Sequence, residues 1–452
     1  MLDANGQRLP SYFDHHVDDN TYADVQARML LMVSASVLAL WLILGFPDKE
    51  RPNPLSMNKL VTKYSHQRTT LGYKIDSRAM EVEVLPEKRA AMIIELVAWI
   101  DPAKESFTLR EVASLHGVLE NMTRYVAWAR PLFYLLQNVI RVELTKRYHY
   151  LQRTYQRTGR SQNIRDALSP AVMNRLTALI ARDKAMLLWS SKAQIILTQQ
   201  LRSCLTTIHD KMADSSQRWA QPIGYIIPRD PHVISLGDAS LTGGGAYCEH
   251  LAYWFDIVWS PRVCRGVKEK ANHADFVHIN SLEFIVVLLQ MAAAIVRLES
   301  LSSEQRVHFF PNGFPVQPIL MCRTDNTAAE KWANKVTSKS QRGQQLIGVM
   351  AELLRTRSCG IRAQHIPGVD NGLADFISRP TNFTLSHAAR SEQLFQMHAS
   401  ARTWDYFQPS PELLQSLSYA LFSTPTLGLP SLQKNLGQFI AVRSTASSTA
   451  QL

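Results

Sequence analysis

The stretch HVISLGDASLTGGGAYC, residues 232–248, decides the fold of this chain. Its apolar run from Val233 to Leu236 leads to a carboxylate, Asp238. A glycine-rich turn at residues 243–245 and a second short apolar run follow, so the pattern predicts strand, tight turn and strand. An isolated carboxylate is costly to bury. Asp238 therefore indicates either a functional site at the edge of a sheet or a residue that caps a turn.

The composition indicates a folded protein with an anionic partner. A length of 452 residues predicts two or three domains, and 46% hydrophobic with 19% charged residues is typical of folded chains. The net charge of +11 favours a polyanion. The five scattered cysteines form no CxxC pair, which indicates reduced thiols and an intracellular location, cytoplasmic and/or nuclear. No basic segment followed by an apolar core begins the sequence, so we expect no secretory signal.

One segment favours a membrane helix, although a buried helix explains it equally well. Residues 29–46 are eighteen residues without a charge, which is the lower limit for a spanning helix. Small and polar residues interrupt this segment, and PDKERPNP follows it in place of a basic stop. We therefore expect no stable membrane association.

A mostly helical region precedes the stretch quoted above. MEVEVL, residues 80–85, alternates as a strand does, and a helix is expected from Pro86 to Ile100. Thr108 and Glu111 predict a capping box ahead of a second helix. The polar segment DSSQRWAQP, residues 214–222, is typical of a linker.

Three more strands and a buried helix complete the predicted sheet. The strands are expected in LAYWFDIVW, PILMC and IRAQHI, residues 251–259, 318–322 and 361–366. A helix that begins at Asn280 is apolar almost all round from Phe284 to Val296, so it should be buried on several sides. The predicted fold class is α/β, a five-stranded mixed sheet with helices on both faces, in which strands one and four are neighbours.

Four acids stand where such a sheet brings side chains together. Asp238 and Asp325 end neighbouring strands, Glu283 lies in the first turn of the buried helix, and Asp375 opens a last helix. Turn formation or helix capping can also explain each acid beyond the first strand. Converging carboxylates without a basic partner repel one another unless cations neutralise them. The set therefore predicts two hard cations, Mg²⁺ or Mn²⁺, because oxygen ligands select such ions.

The order of these acids together with HIPGVDNGLAD, residues 365–375, resembles the ribonuclease H domain of retroelements. The segments DAS at residues 238–240 and TDN at residues 324–326 fit the same family. The resemblance implies that the four acids are the catalytic metal ligands and that His365 assists proton transfer or product release. It covers about residues 222–385 and implies hydrolysis of the RNA strand of RNA–DNA hybrids.

The N-terminal part is similar to the palm of a reverse transcriptase, as in DIRS-like or pararetroviral elements. HVDDN, residues 16–20, looks like the double-Asp motif of that family, which implies metal binding by Asp18 and Asp19. His16 stands where the family usually has an aromatic residue, most often Tyr. Only eighteen residues precede Asp19, so we expect the fingers and the first palm Asp to be missing and the chain alone to extend no primer.

These resemblances predict four regions. They are a partial palm at residues 1–85, a helical thumb and connection at 86–221, a ribonuclease H-like domain at 222–385 and a partly disordered tail at 386–452. Nucleic acid is expected to contact Asn326, Lys331, Lys335, Lys339, Arg147 and Arg153. A solvated helix with amphipathic tyrosines explains the basic residues 141–165 as well.

Two functions of other kinds compete with hybrid cleavage. A non-catalytic, nucleic-acid-binding remnant of a retroelement polymerase would keep the fold and the charge without the activity. A DDE-type transposase or integrase shares the sheet, but its Glu is the last acid, whereas Glu283 comes second here. Other retroelement proteins are additional expected partners.

Overall fold

The fold is mixed α/β in a computed structural model that describes part of the chain. The described residues are 12–15, 20–23, 67–70, 72–134, 136–143, 194–216, 218–223, 230–271, 273–311, 313–315, 317–338, 340–356, 359–379, 387–422 and 440–441. The chain divides into two compact units, Met1–Glu81 and Val82–Leu452.

The first unit contains two antiparallel hairpins. They are formed by β1 (Tyr12–His15) with β2 (Asn20–Ala23) and by β3 (Gln67–Thr70) with β4 (Tyr73–Asp76). Gly72, between β3 and β4, has a φ of 81°, a left-handed conformation that only glycine adopts without steric cost. The predicted metal ligands Asp18 and Asp19 and the apolar residues 29–46 lie outside the described residues.

Short strands and helices follow from the boundary between the units, which lies within the first of these strands. They are β5 (Glu81–Val84), α1 (Pro86–Ile100), β6 (Ser106–Thr108), α2 (Leu109–Thr123), a 3₁₀ helix (Ala127–Phe133), β7 (Gln194–Ile196), α3 (Gln199–Ala213) and β8 (Ala220–Pro222). The predicted capping box is confirmed, because Glu111 N donates to Thr108 Oγ1 at 3.2 Å and Thr108 N donates to Glu111 Oε2 at 2.7 Å.

The predicted linker at residues 214–222 is wrong, because its second half is part of the folded unit. Trp219 is 1% exposed, and its carbonyl accepts a hydrogen bond from Val84 N at 2.8 Å. The side chain of Gln221 is also buried, and its Oε1 accepts from Ala127 N at 3.1 Å. The polar residues around Trp219 made the segment resemble a linker, although burial of this tryptophan fixes the segment against β5.

A seven-stranded mixed sheet forms the centre of the second unit. Its strands are β9 (Val233–Ala239), β10 (Gly243–Cys248), β11 (Tyr253–Val258), β12 (Ile319–Thr324), β13 (Gly360–His365), β14 (Asp405–Gln408) and β15 (Ile440–Ala441), in the order β13-β12-β9-β10-β11-β14-β15. β9 is antiparallel to β10 and parallel to β12. The predicted first and fourth strands are therefore neighbours, as expected.

Helices complete this unit. They are α4 (Pro261–Lys268), α5 (Ile279–Ser300), α6 (Ser303–Phe309), α7 (Thr327–Lys335), α8 (Gln341–Thr356), α9 (Gly372–Ser378), α10 (His387–Met397) and α11 (Pro411–Phe422). Among the described helices, α5 alone is long and apolar enough to cross a membrane, with a mean hydropathy of 2.0. Since 83% of its most apolar window is buried inside the protein, α5 is the expected core helix.

The three glycines after Asp238 lie in a strand and not in the predicted turn. They begin β10, and residues 240–242 connect it to β9. A Cβ at Gly244 would lie 2.7 Å from Val286 Cγ2 of α5, whereas a Cβ at Gly245 would overlap Ile377 of α9. Successive residues of a strand point to opposite faces. The glycines therefore let α5 and α9 approach opposite faces closely, which confirms helices on both faces.

The prediction of five strands is wrong, because residues 387–422 continue the sheet. β14 pairs in parallel with β11, and a buried polar cluster joins the two strands to α10. Arg390 pairs with the buried carboxylate of Asp256, which also accepts from Tyr406 Oη at 2.8 Å. The partner strand and the counter-ion of Asp256 both come from beyond residue 385, where the apolar pattern was too short to indicate them.

Candidate metal centre

Three carboxylates meet at one edge of the seven-stranded sheet. Asp238 is the next-to-last residue of β9, and Asp325 directly follows β12, its parallel neighbour. Parallel neighbours end at the same edge, so the two side chains arrive together. Glu283 projects from the first turns of α5, which packs against both strands. One carboxylate oxygen from each of the three acids lies within 4.8 Å of the others.

Asp238 is buried and held by a hydroxyl group. Its Oδ2 accepts a hydrogen bond from Ser378 Oγ at 2.5 Å, and Asp238 is 6% exposed. Burial raises the pKa of Asp238, the Ser378 hydrogen bond lowers it in part, and the resulting value is about 6. Asp238 therefore retains a proton more readily than an ordinary aspartic acid.

Glu283 shows the stronger effect of burial. Desolvation raises its pKa to about 9, and the charges of Asp238 and Asp325 add to that increase. Thr324 Oγ1 donates to Glu283 Oε2 at 3.3 Å, which favours the charged form and opposes the increase in pKa. At neutral pH the isolated triad thus holds Glu283 protonated, and a bound cation is what would favour its ionisation.

Asp325 is the most accessible of the three acids and lies beside the predicted histidine. Burial raises the pKa of Asp325, whereas the positive charge of His365 lowers it. His365 ends β13, where its side chain is exposed. A Cβ at Gly368 would lie 3.4 Å from Asp325 Oδ2, so the loop after β13 passes directly over this carboxylate.

The fourth predicted ligand, Asp375, is near the triad but is not one of its members. It lies in α9, where Arg379 Nε and Nη2 donate to its carboxylate at 2.9 and 2.6 Å. The negative charge of Asp375 raises the pKa of Asp238 and that of Asp325, which places it in their neighbourhood. In this structure, however, its charge is balanced by an arginine one helical turn away.

The triad is suited to a metal ion by its chemistry. Its donors are three carboxylates, which prefer hard cations such as Mg²⁺, Mn²⁺ or Ca²⁺ to soft ones. Among the described residues, no Lys, Arg or His forms an ion pair with Asp238, Glu283 or Asp325. Ionisation of these buried acids is unfavourable without a positive charge nearby, and a divalent cation would supply that charge. The group can therefore hold a metal ion.

The structure describes three of the six residues that were predicted to contact nucleic acid. Asn326 caps α7, with Oδ1 accepting from Ala328 N at 2.9 Å, and its Nδ2 donates to Asn280 Oδ1 at 3.0 Å. Lys331 and Lys335 are exposed on α7. Lys339, Arg147 and Arg153 lie outside the described residues.

Sequence patterns missed three side chains that support the site. Ser378 and Thr324 hydrogen-bond two of the acids, and Arg379 pairs with Asp375. Each follows or precedes a predicted acid closely in the chain, which is the one signal that could have identified them. A hydroxyl or guanidinium near an acid is too common in sequences to carry that inference alone.

Comparisons with known proteins add little to this geometry. No protein-family model matches the chain, and no curated protein matches it. A solved structure of a foamy viral protease-reverse transcriptase in complex with an RNA/DNA hybrid matches with a TM-score of 0.27 and 11% identity. The match covers 78% of this chain and 35% of that one, so this chain spans about a third of the length of that protein. A likeness with so low a TM-score establishes neither family nor activity.

Proposed function

We propose that this chain derives from a retroelement reverse transcriptase and that its ribonuclease H-type site hydrolyses the RNA strand of RNA–DNA hybrids with two divalent cations. The observation that carries this proposal is the meeting of Asp238, Glu283 and Asp325 within 4.8 Å at one edge of the sheet. Hard cations bound there would stabilise the charge that develops on the phosphate oxygens during hydrolysis.

The surroundings of the triad support the same function. The segment HIPGVDNGLAD, residues 365–375, lies against two of the acids. Asn371 Nδ2 donates to Gly237 O at 3.1 Å, next to Asp238, and Gly368 approaches Asp325. The mixed sheet with helices on both faces is consistent with a ribonuclease H-like fold without being specific to it.

The side chains around the triad have distinct roles in this proposal. The three acids would hold the cations, and Ser378 fixes the orientation of Asp238. His365 is exposed at the rim of the site, and its positive charge lowers the pKa of Asp325. The net charge of +11 favours the approach of a hybrid, whose backbone is a polyanion.

The decisive experiment is cleavage of a hybrid labelled on its RNA strand, with Mg²⁺, with Mn²⁺ and with EDTA. Asp325→Asn removes one ligand charge at almost constant volume, so we expect it to lose most of the cleavage while keeping the melting temperature. Asp230→Asn is the matched control, because Asp230 is exposed and precedes the opposite end of β9. Equal activity in EDTA, or full activity of Asp325→Asn, would exclude the proposed function.

One observation favours a second candidate, a nucleic-acid-binding protein that does not cleave. Asp375 is already paired with Arg379, so its carboxylate is engaged before any cation arrives. A non-catalytic protein would bind the hybrid with the same affinity in EDTA and in Mg²⁺, and it would leave the RNA strand intact in both. Binding measured beside cleavage on the same labelled hybrid separates the two candidates.

A further inference from the structure

Arg379 lies beside the acid triad, with a fixed backbone and an exposed side chain. It directly follows α9, whose last residue, Ser378, is fully buried. Ser378 Oγ donates to Asp238 Oδ2 at 2.5 Å, and the Ser378 carbonyl accepts from Ser240 Oγ at 2.6 Å. Burial raises the pKa of Asp238, and the charge of Arg379 is one of the factors that lower it. The guanidinium therefore belongs to the surroundings of the triad, and its side chain is the part that can change direction.

In this structure the guanidinium is engaged by the fourth acid, Asp375. Arg379 Nε and Nη2 donate to that carboxylate at 2.9 and 2.6 Å. The side chains of Arg379 and Asp375 are 60% and 40% exposed, so water screens their attraction. An exposed ion pair of this kind contributes little to stability. A competitor for either partner can therefore open the pair at a small cost.

Each partner of the pair has a competitor in the proposed reaction. A guanidinium presents a planar fork of donors that fits two oxygens of a phosphate as well as two oxygens of a carboxylate. A phosphate of the RNA strand at the triad would bring such oxygens to the neighbourhood of Arg379. A carboxylate is in turn a ligand that hard cations prefer. Asp375 is close enough to the triad for its charge to add to the raised pKa of Asp238, which burial mainly causes.

We propose that Arg379 is a phosphate-binding residue of the acid centre. Asp375 holds it in the cation-free protein, and a cation that takes this carboxylate leaves the guanidinium to a backbone phosphate of the hybrid. Because each ligand engages one partner of the pair, the binding of either ligand favours the binding of the other. The inference rests on the proposed function, and it adds to that function a residue that contacts the substrate and a link between cation and hybrid binding.

A purely local role for the pair makes a different prediction. Asp375 and Arg379 are four residues apart, the spacing at which an acid and a base pair along one helix. A pair of that kind needs no ligand and stays closed when a hybrid binds. Substitution of Asp375 would then alter hybrid affinity by removing one negative charge, whichever residue stands at position 379.

The test is a double-mutant cycle on hybrid affinity, measured with the full chain in EDTA. The parent, Asp375→Asn, Arg379→Gln and the double variant are titrated against a labelled RNA–DNA hybrid, and melting temperatures verify that each is folded. We expect Asp375→Asn to strengthen binding about two- to fivefold, the range set by the stability of an exposed pair. In the Arg379→Gln background the same substitution should change the affinity little. The slope of log affinity against log salt should steepen by about 0.9 in Asp375→Asn, since one phosphate contact is gained.

Two controls separate this result from a general effect of charge. Arg262 and Asp275 form an ion pair at 2.7 Å with nearly the same exposure, 53% and 42%. Asp275→Asn releases Arg262 and should bind the hybrid as the parent does. Arg402→Gln removes an exposed arginine outside the acid centre and should also bind as the parent does.

The link between the two ligands is measured with a DNA duplex, which offers phosphates but no RNA strand to cut. Mn²⁺ is titrated calorimetrically into the protein alone and into its complex with the duplex. In the parent protein, the duplex should raise the affinity for Mn²⁺ about two- to fivefold, because it draws Arg379 away from Asp375. In Arg379→Gln the carboxylate is available from the start, so the duplex should raise the affinity less.

Three results would overturn the inference. The first is equal strengthening of hybrid binding by Asp375→Asn with arginine and with glutamine at position 379. The second is the same gain in Asp275→Asn, since any released arginine would then suffice. The third is an equal effect of the duplex on Mn²⁺ affinity in the parent and in Arg379→Gln. None of these measurements involves cleavage, so a failure of the proposed function is recognised separately, as an uncut hybrid in Mg²⁺.

Discussion

Ser378 Oγ donates to Asp238 Oδ2 at 2.5 Å, a bond between residues 140 positions apart in the chain. It joins α9 to the end of β9 and sets the direction in which one carboxylate of the triad points. Ser378 itself is fully buried. The orientation of the acid centre therefore depends on a helix that contributes no ligand to the triad.

Ser378→Ala should impair the centre without removing a ligand. Loss of this hydrogen bond removes the larger of the two factors that lower the pKa of Asp238, so the pKa rises and cation binding requires a higher pH. Removing such a supporting bond lowers metal affinity or activity about 10- to 100-fold. We expect the acidic limb of the pH profile of hybrid cleavage to move to higher pH. The exposed Ser114→Ala on α2 is the control, and an unmoved profile in Ser378→Ala would contradict a positioning role.

The metal-free protein should become less stable as the pH rises. Glu283 has a folded pKa of about 9 and an ordinary value of 4.5, so between these values the folded state binds a proton that the unfolded chain releases. The free energy of unfolding therefore falls with rising pH across this interval. Glu283→Gln removes the contribution of Glu283 to this dependence and should stabilise the protein at pH 8 in EDTA by about 1–4 kcal/mol.

Cations should stabilise the Glu283→Gln variant much less than they stabilise the parent protein. Mg²⁺ or Mn²⁺ should stabilise the parent protein by mass action when the cation concentration is about ten or more times its dissociation constant. The gain is about 2.7 kcal/mol at a concentration of 100 times that constant. Glu283→Gln lacks one ligand and should gain much less. Thermal melting at pH 8, with EDTA and with each cation, measures both effects. If the parent protein melts at the same temperature in all three buffers, the triad binds neither cation.

Arg379→Gln should raise the affinity for cations. Arg379 occupies both oxygens of Asp375 in an exposed pair, so the pair itself adds little to stability. Freeing the carboxylate adds negative charge beside the triad, and we expect cation affinity to increase several-fold. Calorimetric titration with Mn²⁺ measures the change, with Arg402→Gln as the control. Equal affinity in the two variants would show that Asp375 takes no part in cation binding.

Two glycine substitutions should have opposite signs. A Cβ at Gly245 would overlap Ile377 of α9, so Gly245→Ala should destabilise by about 1–3 kcal/mol through overpacking. Gly117 lies within α2 with open space around it, so Gly117→Ala should stabilise by about 0.5–1 kcal/mol. Urea denaturation of both variants checks the pair. Destabilisation of both variants would mean that the close packing of α9 on β10 does not explain why residue 245 is a glycine.

The sequence was informative where one local pattern has one physical meaning. Alternating and continuous apolar runs located β9, β11, β12 and β13, and the uniformly apolar helix α5 was expected to be buried. Because parallel neighbours end at one edge, the meeting of Asp238 with Asp325 also followed from pattern alone.

The rest depended on partners distant in the chain. The glycines of β10 resemble a turn until the helices on both faces are known, and Asp256 gives no sign that Arg390 will neutralise it. Asp375 fits the motif as a ligand, and its i,i+4 spacing to Arg379 was the one local signal that the carboxylate could form an ion pair instead.

The parallel pairing of β14 with β11 has a practical consequence for anyone who isolates the acid centre as a fragment. A piece that stops at residue 385 would expose the main chain of β11 along an unprotected sheet edge and leave the carboxylate of Asp256 without Arg390. Such a piece should self-associate through that edge and resist purification. Retaining residues 387–422 keeps the edge covered, so solubility on size-exclusion chromatography should depend on a segment far from the chemistry.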